Sequence, residues 1–302
     1  MQRLGQTSKL YMSSSSSSRA MRAVVYERAG GREVITYSKT QPVPKIKESE
    51  VLVKGRFAGV NFIDTYFRTG LYPVEFPYVP GAEGSGRIEE LGAKVTGFQK
   101  GQEVVYQANA TYAEYTAVPA AKLVVLPPGM DAEVGAASLL QGLTALTMIR
   151  EGYEVKKGDW ILIHAAAGGV GLLLVQMCAA VGANIIGTAS TDAKIQLAKE
   201  HGAQHMVKYT EDSVLDAVRR LTEGKGVHAV LDGVGKTTFD ESLEAVRPMG
   251  SVISFGNASG RSCTMSTNPR CRPTLHNRKT RSQECTIDAS ASLPVCRRAQ
   301  RP

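Results

Sequence analysis

The residues best suited to chemistry form a glycine-rich run from His164 to Gln176, HAAAGGVGLLLVQ. An apolar segment with strand character precedes the run, and an apolar helix follows from it. Gly168 and Gly169 permit a tight turn whose backbone N–H groups approach a pyrophosphate, and Gly171 permits close packing of the helix on the sheet. The amino end of the helix adds unpaired N–H groups and a positive dipole end. In this strand–turn–helix context the pattern predicts a dinucleotide site.

The end of the second strand, Asn184–Thr188, predicts which nicotinamide cofactor binds. A site for NAD places a carboxylate there to hold the ribose 2′-hydroxyl. The strand instead runs into Ser190, and Asp192 comes later, where we expect it to cap the next helix. Ser190 and Lys194 suit a 2′-phosphate, so NADPH is favoured over NADH. Tyr209, at the end of the third strand, is predicted to close over the adenosine end.

The elements that must position this turn follow a regular alternation. A predicted helix over Asp131–Glu151 is followed by strands separated by helices, and this order predicts a parallel sheet with right-handed crossovers. The predicted helices begin near Val170, Asp192, Asp212 and Thr238. The predicted strands are Asp159–His164, Asn184–Thr188, His205–Tyr209, His228–Asp232 and Ser251–Phe255.

The chain before Pro127 reads differently. Short segments that alternate apolar and polar residues, such as Arg22–Tyr26 and Glu50–Phe57, are separated by prolines and glycines. Several short strands at close spacing are typical of a β-rich, barrel-like domain. The predicted fold is therefore α/β: a β-rich amino-terminal domain followed by a doubly wound parallel sheet.

Several motifs in order resemble the zeta-crystallin-like quinone oxidoreductases, zinc-free members of the medium-chain dehydrogenase/reductase superfamily. They are HAAAGGVG from His164, AGVNFIDTYFRTGLYP from Ala58, VPGAEGSG from Val79, QGLTA from Gln141 and SFGNASG from Ser254. The resemblance covers about Met21 to Gly260. It implies a GroES-like β domain, a Rossmann domain, NADPH in the cleft between them, a quinone substrate and a homodimer.

The resemblance also assigns roles to individual residues. It implies that Asn61, Asp64 and Tyr66 act in catalysis and line the nicotinamide and quinone cleft, with Arg68 and Tyr72 following in the same loop. The residues that it implies to contact the cofactor are Ile63, Thr144, Gly168, Gly169, Val170, Ser190, Lys194, Tyr209, Val234, Phe255 and Gly256. From residue type alone, Asn61 and Asp64 are equally well explained as turn formers.

No metal site is predicted. Gly59 and Asn61 stand near the position of the catalytic cysteine of zinc alcohol dehydrogenases, and Gly81-Ala82-Glu83 replaces their Gly-His-Glu. A structural zinc needs four close cysteines, whereas residues 21–260 contain Cys178 alone, which we expect to be a small buried hydrophobe. A quinone is already a strong electron acceptor, so hydride donation requires mainly stacking geometry and exclusion of water.

Charge is unevenly distributed along the 302 residues, whose net charge is +8. The first 20 residues, with six consecutive serines, and residues 261–302 carry the excess, while residues 21–260 have 24 basic and 26 acidic side chains. This argues against RNA binding by the body. A Ser- and Arg-rich leader suits a mitochondrial transit peptide, the alternative to a disordered extension of a cytoplasmic protein. The sequence contains no unbroken run of about 18 apolar residues, so no membrane helix is predicted.

The sequence changes abruptly after Gly260. Residues 261–302 contain four cysteines and no Phe, Tyr or Trp, a composition typical of disorder. We therefore predict a leader over 1–20, a catalytic domain over 21–140, a Rossmann domain over 141–260 and a basic tail over 261–302. The sixth Rossmann strand is expected to be missing, which leaves the fifth as an open edge and the chain poorly folded or inactive. The alternatives are an NADPH-dependent enone or alkenal reductase, and a truncated product that only binds nucleotide or RNA.

Overall fold

The computed structural model of the chain describes residues 19–261 and the backbone of residues 295–297. It divides into two compact units, Met1–Ala136 and Ala137–Pro302, and each is considered by itself below. The leader up to residue 18, most of the tail, and the side chains of the four tail cysteines lie outside the described residues.

The first unit is built from antiparallel strands. A two-stranded sheet pairs β1 with β2, and a five-stranded sheet has the order β6-β3-β4-β5-β7. The alternating segments predicted as strands have one face in a core of Val51, Val53, Ile88, Val104 and Tyr106. The elements are β1 (Ala20–Tyr26), β2 (Ile35–Pro42), β3 (Glu50–Ala58), α1 (Ile63–Thr69), β4 (Glu83–Leu91), β5 (Glu103–Gln107), β6 (Tyr115–Pro119) and β7 (Leu123–Val125).

The second unit contains the predicted alternation of strands and helices. Its sheet has the order β10-β9-β8-β11-β12-β13, the 3-2-1-4-5-6 order of a Rossmann fold. The strands are β8 (Trp160–Ile163), β9 (Asn184–Ala189), β10 (His205–Lys208), β11 (Val227–Asp232), β12 (Val246–Ser254) and β13 (Val295–Arg297). The helices are α2 (Ala132–Thr147), which begins in the first unit, α3 (Gly169–Val181), α4 (Asp192–Glu200), α5 (Val214–Leu221) and α6 (Phe239–Ala245).

The prediction that the sixth strand is missing is wrong. Val295–Arg297 of the basic tail pairs antiparallel with β12, with Val252 opposite Cys296. The backbone of an edge strand presents unpaired N–H and C=O groups, and any extended segment can bond to them without an apolar pattern of its own. Sequence periodicity therefore gave no sign of this strand. The expectation of poor folding rested in part on an open edge at β12. Val295–Arg297 covers Ser251–Ile253 of that edge, and the expectation itself stays a prediction.

Helix α3 shows how the sequence sets the packing behind the turn. Its buried residues Gly171, Leu174, Val175 and Cys178 recur at helical spacing and face the strands of the sheet. The helix ends at Gly182, whose φ of 85° is the left-handed conformation that glycine adopts most readily. Cys178 is fully buried, as predicted, and burial raises the pKa of its thiol to about 12.

One helical run passes a simple test for a membrane span. Residues Ala132–Gly152, which join α2 to a π-helical turn over Met148–Gly152, are long and apolar enough to cross a membrane by length and composition alone. Core helices of soluble proteins pass the same test. Ala145, Met148 and Ile149 of this run are buried in the core of the second unit. Val134, Leu143 and Leu146 of the same run are exposed.

Candidate functional site

The glycine-rich turn lies between β8 and α3, where the sequence predicts it. Ala165 adopts a left-handed φ of 50°, and its carbonyl accepts a hydrogen bond from the Gly168 N–H at 2.8 Å. A Cβ added to Gly171 would lie 2.3 Å from the Ala165 carbonyl oxygen. At Gly169 it would lie 2.2 Å from Oε1 of Gln141. The close approach of helix and turn therefore requires glycine at position 171.

A cavity of about 440 Å³ opens beside this turn. It lies at the carboxyl ends of the parallel strands, where open α/β sheets bind their ligands. Its walls come from the turn, from the ends of β9 and β10, and from the loop after β11. The lining residues are Ala165, Ala167, Gly168, Thr188, Ala189, Ser190, Lys194, Tyr209, Asp212, Val214, Val234, Thr237, Thr238 and Glu241.

Five of the residues predicted to contact the cofactor line the cavity: Gly168, Ser190, Lys194, Tyr209 and Val234. The other predicted residues of the second unit do not. Gly169 and Val170 form the first turn of α3, and the Thr144 hydroxyl donates to the Leu140 carbonyl within its own helix. Phe255 and Gly256 lie against the loop after β11, since a Cβ on Gly256 would meet the Gly233 carbonyl at 2.4 Å.

The end of β9 carries no carboxylate, as the sequence shows. The side chain that caps α4 is Thr191, which accepts a hydrogen bond from the Lys194 N–H, so the prediction that Asp192 is the cap is wrong. The Asp192 carboxylate instead pairs with Lys208 Nζ at 3.0 Å. Pairing with Lys208 offsets the charge of the acid closest to Ser190 in sequence. Among the residues that line the cavity, Lys194 is the one Lys or Arg.

The loop after β11 is held by a buried carboxylate, Asp232. Its Oδ1 accepts hydrogen bonds from the N–H groups of Val234 and Gly235, at 2.8 and 3.0 Å. The hydroxyls of Thr238 and Ser242 also bond to it, at 2.8 and 3.1 Å to Oδ2. Asp232 is fully buried, so these donors replace its hydration. The arrangement fixes the wall of the cavity that contains Val234 and Thr238.

Sequence reasoning missed the acidic lining residues Asp212 and Glu241. Burial raises the pKa of Glu241, and the charges of Asp232 and Glu244 raise it further. Both missed residues lie at or near helix starts that the sequence does predict. Because those starts lie at the carboxyl edge of a parallel sheet, the alternation of strands and helices was the signal that could have found them.

In the first unit, the predicted catalytic residues surround the start of α1. The Asn61 N–H donates to Asp64 Oδ2 at 3.0 Å, and Asn61 Nδ2 donates to Oε1 of Glu83 at 2.7 Å. Glu83 is fully buried, and a Cβ on Gly59 would lie 2.2 Å from its Oε1. A cysteine at position 59 would therefore collide with Glu83.

Asp64 and Tyr66 are held from behind by aromatic residues. The Tyr112 hydroxyl donates to Asp64 Oδ2, and burial, followed by this bond, raises the pKa of Tyr112. The Tyr66 ring lies 5.1 Å from the Tyr72 ring and 5.6 Å from the Phe62 ring, centroid to centroid. The aromatic rings of this loop therefore pack beside the buried polar side chains of Asn61, Asp64 and Glu83. Ile63 is the first residue of α1.

Among the side chains of residues 19–261, no three of His, Cys, Asp or Glu lie close enough together to hold a metal ion. The chemistry available to the described residues is therefore that of the dinucleotide turn and its cavity in one unit, and of an Asn–Glu–Asp–Tyr network in the other.

Comparison with known proteins identifies the family. The profile of the alcohol dehydrogenase GroES-like domain matches residues 47–128, and that of zinc-binding dehydrogenases matches residues 169–283. A quinone oxidoreductase from Pseudomonas aeruginosa is 45% identical over 234 residues, which are 76% of this chain and 72% of that protein. The chain belongs to the quinone oxidoreductase family. The family, with its GroES-like and Rossmann folds, is the one that the motifs predicted.

Two further relatives carry names that mention a cofactor or a substrate. The crystal structure of Escherichia coli quinone oxidoreductase complexed with NADPH has a TM-score of 0.78 and 38% identity, covering 80% of this chain and 75% of that one. A 2-haloacrylate reductase from a Burkholderia species is 37% identical over 79% of this chain and 74% of that protein. The second profile ends at residue 283, beyond Gly260, where the motif resemblance ended.

For this member of the quinone oxidoreductase family, we expect Glu241→Gln to strengthen NADPH binding by about threefold at pH 8, because the substitution removes a charge of like sign from the cavity wall. The raised pKa of Glu241 means that the wild-type carboxyl gains its charge as the pH rises through that value. The ratio of wild-type to variant Kd, measured by NADPH fluorescence, should therefore be larger at pH 8 than near pH 4.5, the ordinary pKa of a glutamate. Asp240→Asn, an exposed neighbour on the same helix, should leave the ratio flat. A ratio for Glu241→Gln that is also flat would contradict the assignment.

Proposed function

We propose that this chain is an NADPH:quinone oxidoreductase that transfers reducing equivalents to a quinone, as hydride or as single electrons, without a metal ion. The observation that carries the proposal is the cavity beside the turn, with Ser190 and Lys194 at the end of a β9 that has no carboxylate. The NADPH-bound Escherichia coli relative and the Pseudomonas aeruginosa quinone oxidoreductase support the same conclusion.

The residues of the second unit fit such a cofactor. Gly168 and the N–H groups at the start of α3 suit the pyrophosphate, because no Cβ stands between the phosphates and the backbone. Ser190 and Lys194 suit the 2′-phosphate, the first as a hydrogen-bond donor and the second as a cation. Tyr209 is about half exposed at the rim and suits the face of the adenine. When bound, NADPH supplies the hydride or electrons.

The residues of the first unit suit the acceptor. Asn61 is oriented by Glu83 and Asp64, and the aromatic cluster around Tyr66 offers apolar faces for a flat ring. A quinone takes up protons as it is reduced. The pKa of Tyr112 is raised and its proton is held by Asp64, so we do not assign Tyr112 as the proton donor. We propose that these side chains orient the ring, and that the active form is a homodimer.

Cofactor choice tests the proposal. Lys194→Ala is expected to reduce the preference for NADPH over NADH by about ten- to a hundredfold, because a charge-assisted contact with a phosphate contributes roughly 1.5–3 kcal/mol. The measurement is kcat/KM for each cofactor with one quinone. Lys199→Ala, which removes the same charge from an exposed position of α4 outside the cavity, is the matched control. Equal use of both cofactors by the wild-type chain would contradict the proposal.

A second candidate is reduction of conjugated alkenes. The 37% identical 2-haloacrylate reductase favours it, since haloacrylates, enones and quinones are all conjugated acceptors. The two activities are separated by following NADPH oxidation by the 302-residue chain with a series of quinones and a series of enones and 2-haloacrylates. A kcat/KM at least about tenfold higher for quinones is the expected result. The reverse ranking would support the alkene reductase, and no turnover with any acceptor would contradict both.

A further inference from the structure

A buried histidine lies behind the wall of the cofactor cavity and takes no part in the function proposed above. His164 follows β8 directly and is 3% exposed. Its Nε2 lies 3.1 Å from the Ser242 hydroxyl on α6, and its Nδ1 lies 3.4 Å from the Thr188 hydroxyl on β9. The ring therefore bridges two elements that each contribute to the cavity.

The surroundings of Ser242 determine which ring nitrogen carries the proton. The Ser242 oxygen lies 2.8 Å from the Thr238 carbonyl and 3.1 Å from Asp232 Oδ2, and both of these groups only accept hydrogen bonds. The single hydroxyl proton of Ser242 must therefore point to one of them. His164 Nε2 must then donate to Ser242, which leaves Nδ1 as an acceptor for the Thr188 hydroxyl.

The chain of hydrogen bonds continues from Thr188 to the glycine-rich turn. With its own proton directed at His164, the Thr188 oxygen accepts a hydrogen bond from the Ala165 N–H at 3.2 Å. Ala165 is the residue in the left-handed conformation with a φ of 50°, which a residue with a Cβ rarely adopts without support from its surroundings. At the other end, Asp232 holds the N–H groups of Val234 and Gly235.

We propose that neutral His164 is a positioning residue for the cofactor, linking the phosphate turn at Ala165 to the loop after β11 through Thr188, Ser242 and Asp232. This chain of hydrogen bonds, called the relay below, fixes the distance between the turn at Ala165 and the loop after β11. The pyrophosphate and the nicotinamide half of NADPH are expected to lie between these two walls of the cavity. The adenosine 2′-phosphate end, at Ser190 and Lys194, lies outside the relay. This inference rests on the proposed function, because it assumes that NADPH occupies the cavity.

The protonation state of the ring agrees with this arrangement. Burial lowers the pKa of His164, against the opposing effect of the nearby Asp232 carboxylate. A protonated ring would be a donor at both nitrogens and would leave the Thr188 hydroxyl no acceptor on the histidine. Only the neutral ring, which donates at Nε2 and accepts at Nδ1, can form both of its hydrogen bonds in the relay.

Four variants test the relay. His164→Asn places an amide near Nδ1 and loses the bond to Ser242, while Ser242→Ala removes the same bond from the other side. Thr188→Val keeps the shape of the side chain but removes both of its relay bonds, and Thr188→Ser restores the hydroxyl. The first three are expected to weaken NADPH binding by about tenfold, the effect of about one hydrogen bond. Thr188→Ser should stay within about twofold of the wild type.

Adenosine 2′-monophosphate separates positioning from general damage. It carries only the adenosine end, which the proposal places at Ser190 and Lys194, so its Kd should be unchanged in His164→Asn and Ser242→Ala. Thr188 itself lines the cavity two residues before Ser190, so Thr188→Val is judged by its NADPH binding alone. His228→Gln is the matched control: His228 Nδ1 accepts from the Trp160 N–H at 3.0 Å, at the opposite ends of β8 and β11. It should lower the melting temperature without weakening NADPH binding.

The two binding measurements together support or overturn the role of His164. NADPH binding lost without loss of adenosine 2′-monophosphate binding supports the relay. Unchanged NADPH binding in His164→Asn, Ser242→Ala and Thr188→Val overturns it, and so does an equal loss for both ligands. If the wild-type chain itself fails to bind NADPH, the proposed function fails and the relay fails with it, and this case is recognised from the wild type alone.

Discussion

Gly171→Ala is expected to weaken NADPH binding by at least about a hundredfold, because the added methyl cannot fit between the helix and the turn. An ideal Cβ at this position lies 2.3 Å from the Ala165 carbonyl oxygen and 2.9 Å from backbone atoms of Ala166. Backbone, unlike the end of a flexible side chain, has no alternative rotamer to adopt. The turn must therefore move, and with it the N–H groups that face the pyrophosphate. Titration of NADPH fluorescence measures the loss.

The matched control is Gly142→Ala in α2. A Cβ at Gly142 meets no atom within 4 Å, so the same substitution should leave NADPH binding unchanged. It should also raise the free energy of unfolding by about 1 kcal/mol, the difference between glycine and alanine in a helix. If Gly171→Ala binds NADPH as well as Gly142→Ala does, the turn is not the pyrophosphate site.

The glycine-rich turn between β8 and α3 could be predicted because its requirements are local in sequence. The run from His164 to Gly171 needs only a strand before it and a helix after it, and both are visible as apolar segments. The helices that begin near Asp212 and Thr238 also follow from periodicity. Since parallel strands end at one edge, the alternation of elements predicts the cavity that the structure shows there.

Two features could not be predicted, for different physical reasons. The strand Val295–Arg297 is recruited by backbone hydrogen bonds to β12, which leave no pattern in side-chain type. The relay through His164 joins residues 78 positions apart in one bond, to Ser242, and 24 apart in the other, to Thr188. Contacts of that kind depend on tertiary packing, so His164 reads from sequence merely as the start of a glycine-rich motif.

Asp232→Ala is expected to lower the free energy of unfolding by about 3–5 kcal/mol, because each buried donor that is left without an acceptor costs roughly 1–3 kcal/mol. The substitution removes the acceptor of two N–H groups and two hydroxyls, those of Val234, Gly235, Thr238 and Ser242. Ser242 and Thr238 can turn their hydroxyl protons to nearby carbonyls, at 2.8 and 3.2 Å. The N–H groups of Val234 and Gly235 have no such freedom, so most of the loss comes from the backbone of the loop.

Chemical denaturation of the whole chain measures this loss, and thermal unfolding should show a fall of roughly 10 °C, since about 1 kcal/mol corresponds to roughly 2–4 °C in a domain of this size. Asp216→Ala is the matched control, because its side chain is 72% exposed and its ion pair with Arg219, at 3.4 Å, lies at the surface; it should change stability by less than about 0.5 kcal/mol. Asp232→Asn keeps one oxygen for the Val234 and Gly235 N–H groups and should recover about half of the lost stability. Equal stability of Asp232→Ala and Asp216→Ala would show that the buried carboxylate does not hold the loop, because only one of the two variants strands buried donors.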